Sequence, residues 1–253
     1  MTSVRVVARL DVKGANLIKG IQLEGLRVVG DPNEYARSYY AQGADELLYI
    51  DAVASLYGRN NLLEIVKRTT DEIFIPVTVG GGVRSIDDVR QLLRAGADKV
   101  AINTAAIARP ELITEAARAF GSQCVVISIV AKRRTGGGWE AYTEGGRERT
   151  GLDAVEWACR AVDLGAGEVL ITSVDQEGGR QGYDIELTAA TSNRCAVPVI
   201  ASGGAGAVDH LRSVVRDGGA NAVAVASILH FKQASVSDLK RGLSEAGILV
   251  RPA

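Results

Sequence analysis

The chain has 253 residues, of which 47% are hydrophobic and 23% charged, and its formal net charge is −1. That length holds one large barrel or two small domains and buries a sizeable core without covalent staples. The near-neutral balance excludes the bulk charge signature of a nucleic-acid or membrane-surface binder.

Short apolar runs, many of them rich in Val, Ile or Ala, recur at 4–10, 46–50, 74–79, 99–102, 124–130, 168–171, 197–201 and 222–226. Runs with little alternation suit strands buried on both faces, as in a parallel sheet. Helix signals lie between them. Asp31-Pro32-Asn33-Glu34 offers an N-cap, a proline at the first helical position and a glutamate at the third. Ser85-Ile86-Asp87-Asp88 precedes Val89, Leu92 and Leu93 at helical spacing, and Pro110-Glu111 and Leu152-Asp153 open two more helices. Four phrases recur just before strands: Gln42-Gly43-Ala44-Asp45, Ala95-Gly96-Ala97-Asp98, Leu164-Gly165-Ala166-Gly167 and Asp217-Gly218-Gly219-Ala220. Their glycines suit the left-handed residue that ends a helix. Strand–helix alternation without a composition break predicts one α/β domain over 1–253, a (βα)₈ barrel; an open doubly wound sheet is the alternative.

The halves echo each other. Thr78-Val79-Gly80-Gly81-Gly82 matches Ile200-Ala201-Ser202-Gly203-Gly204, Ala101-Ile102-Asn103-Thr104 matches Val225-Ala226-Ser227-Ile228, and Leu10-Asp11-Val12-Lys13 matches Ile129-Val130-Ala131-Lys132. The constant order predicts two half-barrels.

In such a barrel the C-terminal strand ends form the active site. Gly81 and Gly82 with Asn103 and Thr104, and on the opposite side Gly203 and Gly204 with Ser227, suit phosphate binding, because glycine lets backbone N–H groups approach an anion. Two such sites imply a substrate phosphorylated at both ends. Asp11, accompanied by Lys13, Lys19 and Asp51, is the leading proton-transfer candidate, although a carboxylate at a strand end also serves as a cap. Its half-repeat counterpart is Val130, which moves no proton; Asp175 and Glu177 are the nearby carboxylates in sequence. Residues 132–150 predict a hairpin over the mouth with a strand at 139–142, and 14–27 reads as a second, mobile loop on which Lys19 closes over substrate. His210 and His230 lack metal-ligand spacing and read as surface or helix-end residues; no metal site or cofactor is expected. Cys124, Cys159 and Cys195 form no CxxC and read as buried small hydrophobes in a reducing compartment. The start MTSVRVVARLD lacks a signal core, and no apolar run approaches the roughly 20 residues that span a bilayer, so a cytoplasmic protein without membrane or nucleic-acid partners is expected.

The phrases LDVKG, TVGGGVRSIDDVRQLLRAGADKVAINTAA, LGAGE, ITSVDQEG and IASGGAG resemble the HisF family over essentially the whole chain. HisF is the cyclase subunit of imidazole glycerol phosphate synthase. The resemblance implies a HisH-like glutaminase docked at the N-terminal face as a heterodimer, and ammonia passing through the barrel to a bisphosphorylated substrate at the C-terminal face. It implies an ammonia gate of four charges, here Arg5, Glu46, Lys99 and Glu168 at the starts of alternate strands. It also places Glu177 and Gly178 of the phrase Asp175-Gln176-Glu177-Gly178-Gly179 with the substrate-binding set. The departures are Val130 where the family has its second acid–base aspartate, the phrase 175–179 where the family has DRDGT, Arg9 where a small residue is usual, the loop 14–19 and the run 53–60. That run and Val130 lean toward a HisF-like paralogue converting an acetamido to an acetamidino sugar. The alternatives are the histidine-pathway cyclase, which forms imidazole glycerol phosphate and AICAR from PRFAR and ammonia, a weakened barrel that only activates a glutaminase, and a related sugar-phosphate isomerase.

Overall fold

The computed structural model describes residues 3–54 and 62–253. The chain runs β1 (Arg5–Lys13), β2 (Asn16–Ile21), β3 (Glu24–Gly30), β4 (Glu46–Asp51), β5 (Val77–Gly80), β6 (Lys99–Ile102), β7 (Val125–Arg133), β8 (Trp139–Thr143), β9 (Glu148–Asp153), β10 (Glu168–Ser173), β11 (Val199–Ser202) and β12 (Ala222–Val225), with helices between the barrel strands. The parallel strands β1, β4, β5, β6, β7, β10, β11 and β12 pair in that order, and β12 returns to β1, so the eight parallel strands close into a barrel. This is the predicted (βα)₈ barrel.

The recurrent pre-strand phrases have a two-part job. Gly43 and Gly96 end their helices at φ +85° and +109°, as predicted. The following Asp45 and Asp98 then turn sideways: each accepts the first free N–H of the neighbouring strand, Val6 and Val77, at 2.8 Å. Asn221 does the same for Val199 at 2.9 Å. The fourth phrase has Gly167 at this place, because a Cβ there would lie 2.2 Å from the Ser122 carbonyl oxygen. Helix caps also follow the sequence. The Asp31 carboxylate accepts from the N–H groups of Asn33 and Glu34, and Ser85 with Asp88 forms a capping box for helix Ile86–Arg94; each such cap contributes about 1 kcal/mol.

Proline trims two of the apolar runs. Run 74–79 becomes a strand only from Val77, after Pro76, and Phe74 is left 79% exposed; run 197–201 becomes β11 only after Pro198. Pairing shows the repeat directly. Val7 pairs with Glu46 and Val126 with Glu168, so four residues onward Asp11 and Val130 occupy equivalent positions. Each half also extends its first strand into an antiparallel hairpin, β2–β3 on β1 and β8–β9 on β7. The predicted hairpin over 132–150 is present. Residues 14–27 are not a loop but mostly strand, because 16–21 finds backbone partners on both β1 and β3.

Successive residues of a strand face opposite ways. The outward-facing set joins the helices in the main core, whereas Val7, Leu48, Ala101, Val126, Leu170, Ile200, Ala222 and Ala224 form a separate cluster inside the barrel. Below that apolar layer lie Arg5, Glu46, Lys99 and Glu168, and above it lie Arg9 and Asp11. The interior is thus charged, then apolar, then polar along its axis.

Candidate active site

The mouth is organised by four buried charges, two of each sign. Arg9, an inward-facing residue of β1, donates through Nε to Asp11 Oδ1 at 2.9 Å and through Nη1 to Thr172 and Ser202 at 3.2 and 2.9 Å. Lys19, on β2, lies 3.7 Å from Asp11 Oδ2 and is hydrogen-bonded to Glu177. All four are at least as buried as a core residue, with Lys19 6% and Glu177 4% exposed. Burial is the strongest influence on Asp11 and would raise its pKa, but the charges of Arg9 and then Lys19 outweigh it and hold the carboxyl below its usual range. Lys19 is therefore seated in the site by its strand, not carried on an open loop.

A cavity of about 410 Å³ opens beside this cluster. Asp11 and Lys19 line it together with Gly81, Gly82, Asn103, Thr104 and, on the far wall, Val130. Gly81 and Gly82 have φ of +95° and +72°, and a Cβ on Gly81 would come within 2.4 Å of the Asp51 carbonyl oxygen. The second predicted group does not share this space. Gly178, Gly203, Gly204 and Ser227 line a separate pocket of only about 10 Å³, and Arg9, Lys19 and Glu177 border both. The structure therefore brings the predicted residues into one mouth but divides them in two, with the Lys19 and Glu177 pair on the dividing wall.

Several lining groups carried no signal in the sequence. Arg84, Arg109 and Arg147 give the main cavity a cationic rim. Asp51, earlier noted only as a companion of Asp11, accepts from Val53 N at 3.0 Å through Oδ1 and has a buried Oδ2 without a partner; burial raises its pKa. Glu144 and Asn103 likewise each present one buried, unpartnered oxygen. Asp175, one of the two carboxylates noted with the missing aspartate, accepts from Arg133 N at 2.9 Å and is exposed outside the cavity; of the two, only Glu177 is inside. His230 ends the helix Ser227–His230 but is 3% exposed, not superficial. It shares a 2.6 Å hydrogen bond with Tyr39, and burial, then the Lys19 charge, push its pKa down to about 4. Cys195 is buried, while Cys124 and Cys159 are only partly so, because they sit where the outer layer meets solvent. The run that suggested the sugar paralogue, including Leu56, Tyr57, Gly58 and Arg59, lies outside the described residues.

At the opposite end, Arg5, Glu46, Lys99 and Glu168 close a ring. Arg5 reaches Glu46 at 2.7 Å and also Glu168, and Lys99 reaches Glu46 and Glu168 at 2.9 and 2.8 Å. Each carboxylate thereby meets two cations. The strands concerned are β1, β4, β6 and β10, the first, second, fourth and sixth of the barrel, so the alternation expected from the sequence is not strict. Among the described residues no cluster of three or more His, Cys, Asp or Glu is placed to hold a metal, and no helix is long and apolar enough to cross a membrane.

A closed barrel with a polar, cavity-bearing mouth at its C-terminal strand ends defines a (βα)₈-barrel enzyme. The sequence matches the family described as histidine biosynthesis protein over residues 5–235. It is 65% identical to the imidazole glycerol phosphate synthase subunit HisF of Legionella pneumophila over 209 residues, covering 83% of this chain and 99% of that protein. It is 55% identical to the HisF subunit of Myxococcus xanthus (strain DK1622) over 251 residues, 99% of both chains. It is 51% identical to that of Mycobacteroides abscessus over 255 residues, 98% of this chain and 99% of the other. The chain belongs to the HisF family. These names favour the histidine-pathway reading and lend nothing to the preference for the sugar paralogue.

Proposed function

We propose that the chain is the ammonia-accepting cyclase subunit of an imidazole glycerol phosphate synthase, forming imidazole glycerol phosphate and AICAR from PRFAR and ammonia. The observation that carries this is the axial order of the barrel: a closed ring of four charges at one end, an apolar interior, and Asp11 beside a cavity at the other. A glutaminase of the HisH kind, docked below the ring, supplies ammonia through the interior. A neutral molecule crosses an apolar layer at little cost, whereas its protonated form does not. At the mouth, Gly81, Gly82 and Thr104 hold one phosphate, supported by the cationic rim. Gly203, Gly204 and Ser227 hold the other, once Lys19 and Glu177 draw apart. Asp11, already ionised beside Arg9 and Lys19, accepts protons. An isomerase would need no charge ring at the closed end.

Val130 favours a second reading, a barrel that binds a glutaminase and turns over slowly or acts on an acetamido sugar. One assay separates them. Purified chain is given PRFAR and an ammonium salt at alkaline pH, where free ammonia replaces the glutaminase. Turnover that disappears in Asp11→Asn supports the cyclase. Tight binding of PRFAR without turnover refutes it and directs the assay to nucleotide-linked acetamido sugars.

A further inference from the structure

Val130 removes a proton-transfer group from the wall opposite Asp11, and the hairpin that grows from the same strand brings one back. β1 and β7 stand diametrically opposed in the closed barrel, with three strands between them on either side. β7 carries Val130 and continues into β8 and β9, whose turn folds inward. A Cβ on Gly146 would lie 3.4 Å from the Val130 side chain and 3.3 Å from Leu23 in the turn of the first hairpin, so the two hairpins meet over the mouth. Glu144, in that turn, lines the same cavity as Asp11. Its backbone N–H donates to Thr104 Oγ1 at 3.2 Å, and one carboxylate oxygen is buried without a hydrogen-bond partner.

Two further observations separate Glu144 from the bland alternative of a solvated turn residue. First, it sits at φ +48°, a left-handed conformation that strains a residue bearing a Cβ, although Gly145 and Gly146 beside it show that glycine is available to this turn. Second, the hairpin is held in place by its own cross-strand contacts and by one neighbour. Arg149 pairs with Glu140 at 2.8 Å, Thr150 Oγ1 donates to Ala141 O, Asn103 Nδ2 donates to Tyr142 O at 3.1 Å, and Lys132 lies over the Tyr142 ring. An unpaired carboxylate oxygen held in a fixed place inside a cavity is an acceptor awaiting a donor.

We infer that Glu144 is the second proton-transfer carboxylate, acting across the cavity from Asp11 in place of the residue missing at 130. The inference rests on the cyclase reading. Ammonia adds to the carbonyl carbon of the substrate and gives a carbinolamine. Its dehydration breaks the C–O bond, forms C=N and releases water. One carboxylic acid delivers a proton to the departing hydroxyl while the opposed carboxylate takes a proton from nitrogen, so the pair holds one proton before and after. A valine at 130 is tolerated because the carboxylate reaches the same space from the neighbouring hairpin.

The test is steady-state turnover of PRFAR with ammonium salt as a function of pH, with PRFAR affinity measured separately, for the wild-type chain, Glu144→Gln, Val130→Asp and the double variant. Glu144→Gln should lower kcat by about 100-fold or more, the usual worth of a general acid or base. Affinity should change less than threefold, and one limb of the pH profile should disappear. Adding Val130→Asp to Glu144→Gln should restore most of the lost kcat, an outcome a merely structural glutamate would not give. If wild type turns over and Glu144→Gln stays within threefold of it at every pH, the assignment to Glu144 is overturned while the cyclase reading stands. If wild type binds PRFAR and does not turn it over, both are overturned together.

Discussion

Removing Arg9 tests whether the mouth is held by charge compensation. In Arg9→Met the side-chain volume is nearly kept, but Asp11, 6% exposed, loses its 2.9 Å partner and retains only Lys19 at 3.7 Å, which Glu177 also claims. Breaking a buried ion pair from one side costs about 3–5 kcal/mol, and the remaining lysine places this case near the lower end. At roughly 2–4 °C per kcal/mol for a chain of this size, about 3 kcal/mol lowers the Tm by ~6–12 °C near neutral pH. The pH dependence has a definite sign. In the wild-type protein the folded pKa of Asp11 is depressed, so its contribution is present above the unfolded pKa and fades as pH falls through the folded value. In the variant, burial prevails and raises the folded pKa, so the penalty grows as pH rises through that value and vanishes below the unfolded one. The Tm gap between the two proteins, followed by differential scanning fluorimetry, should therefore narrow steadily between neutral pH and pH ~4. Arg9→Met with Asp11→Asn should recover most of the loss, since no charge is then left unpaired. A gap under 2 °C at neutral pH, or one that does not narrow on acidification, would refute the argument.

The floor ring makes a parallel case: Lys99→Met leaves Glu46 and Glu168 sharing Arg5 alone, and should lower stability by about 3 kcal/mol in urea melts near neutral pH. In a complex with a glutaminase the same variant should lower glutamine-dependent more than ammonium-dependent turnover. Gly204→Ala places a Cβ 1.9 Å from the Gly182 carbonyl oxygen at φ +107°, so a loss of at least about 2 kcal/mol is expected, against near-neutral behaviour for Gly136→Ala, where nothing lies within 4 Å. His230, with its pKa near 4, should show no NMR titration between pH 6 and 8. Its lowered value means its share of stability is present above the unfolded pKa and lost as pH falls towards 4; Tyr39→Phe, which removes the 2.6 Å hydrogen bond, should cost about 1 kcal/mol at pH 7.

Period and punctuation determined most of the architecture from the sequence alone. Apolar runs buried on both faces, capped amphipathic helices and a glycine before each of several strands are local signals, read within a dozen residues, and they led to a barrel of two halves with Asp11 and the glycine turns at its mouth. The absence at 130 was equally legible, because the half-repeat aligns it with Asp11. The sequence could not say that the segment carrying Lys19 is a strand: its partners lie on β1 and β3, and its charge is fixed by Glu177, 158 residues away. Nor could it say that the second glycine site is walled off from the first, that His230 is buried against Tyr39, or that Glu144 lines the cavity shared by Asp11 and Val130. Those are tertiary facts. A polar side chain inside a barrel is recognised by what surrounds it, and the surroundings come from strands distant in the chain, whereas a cap or a turn carries its reason in its own neighbours.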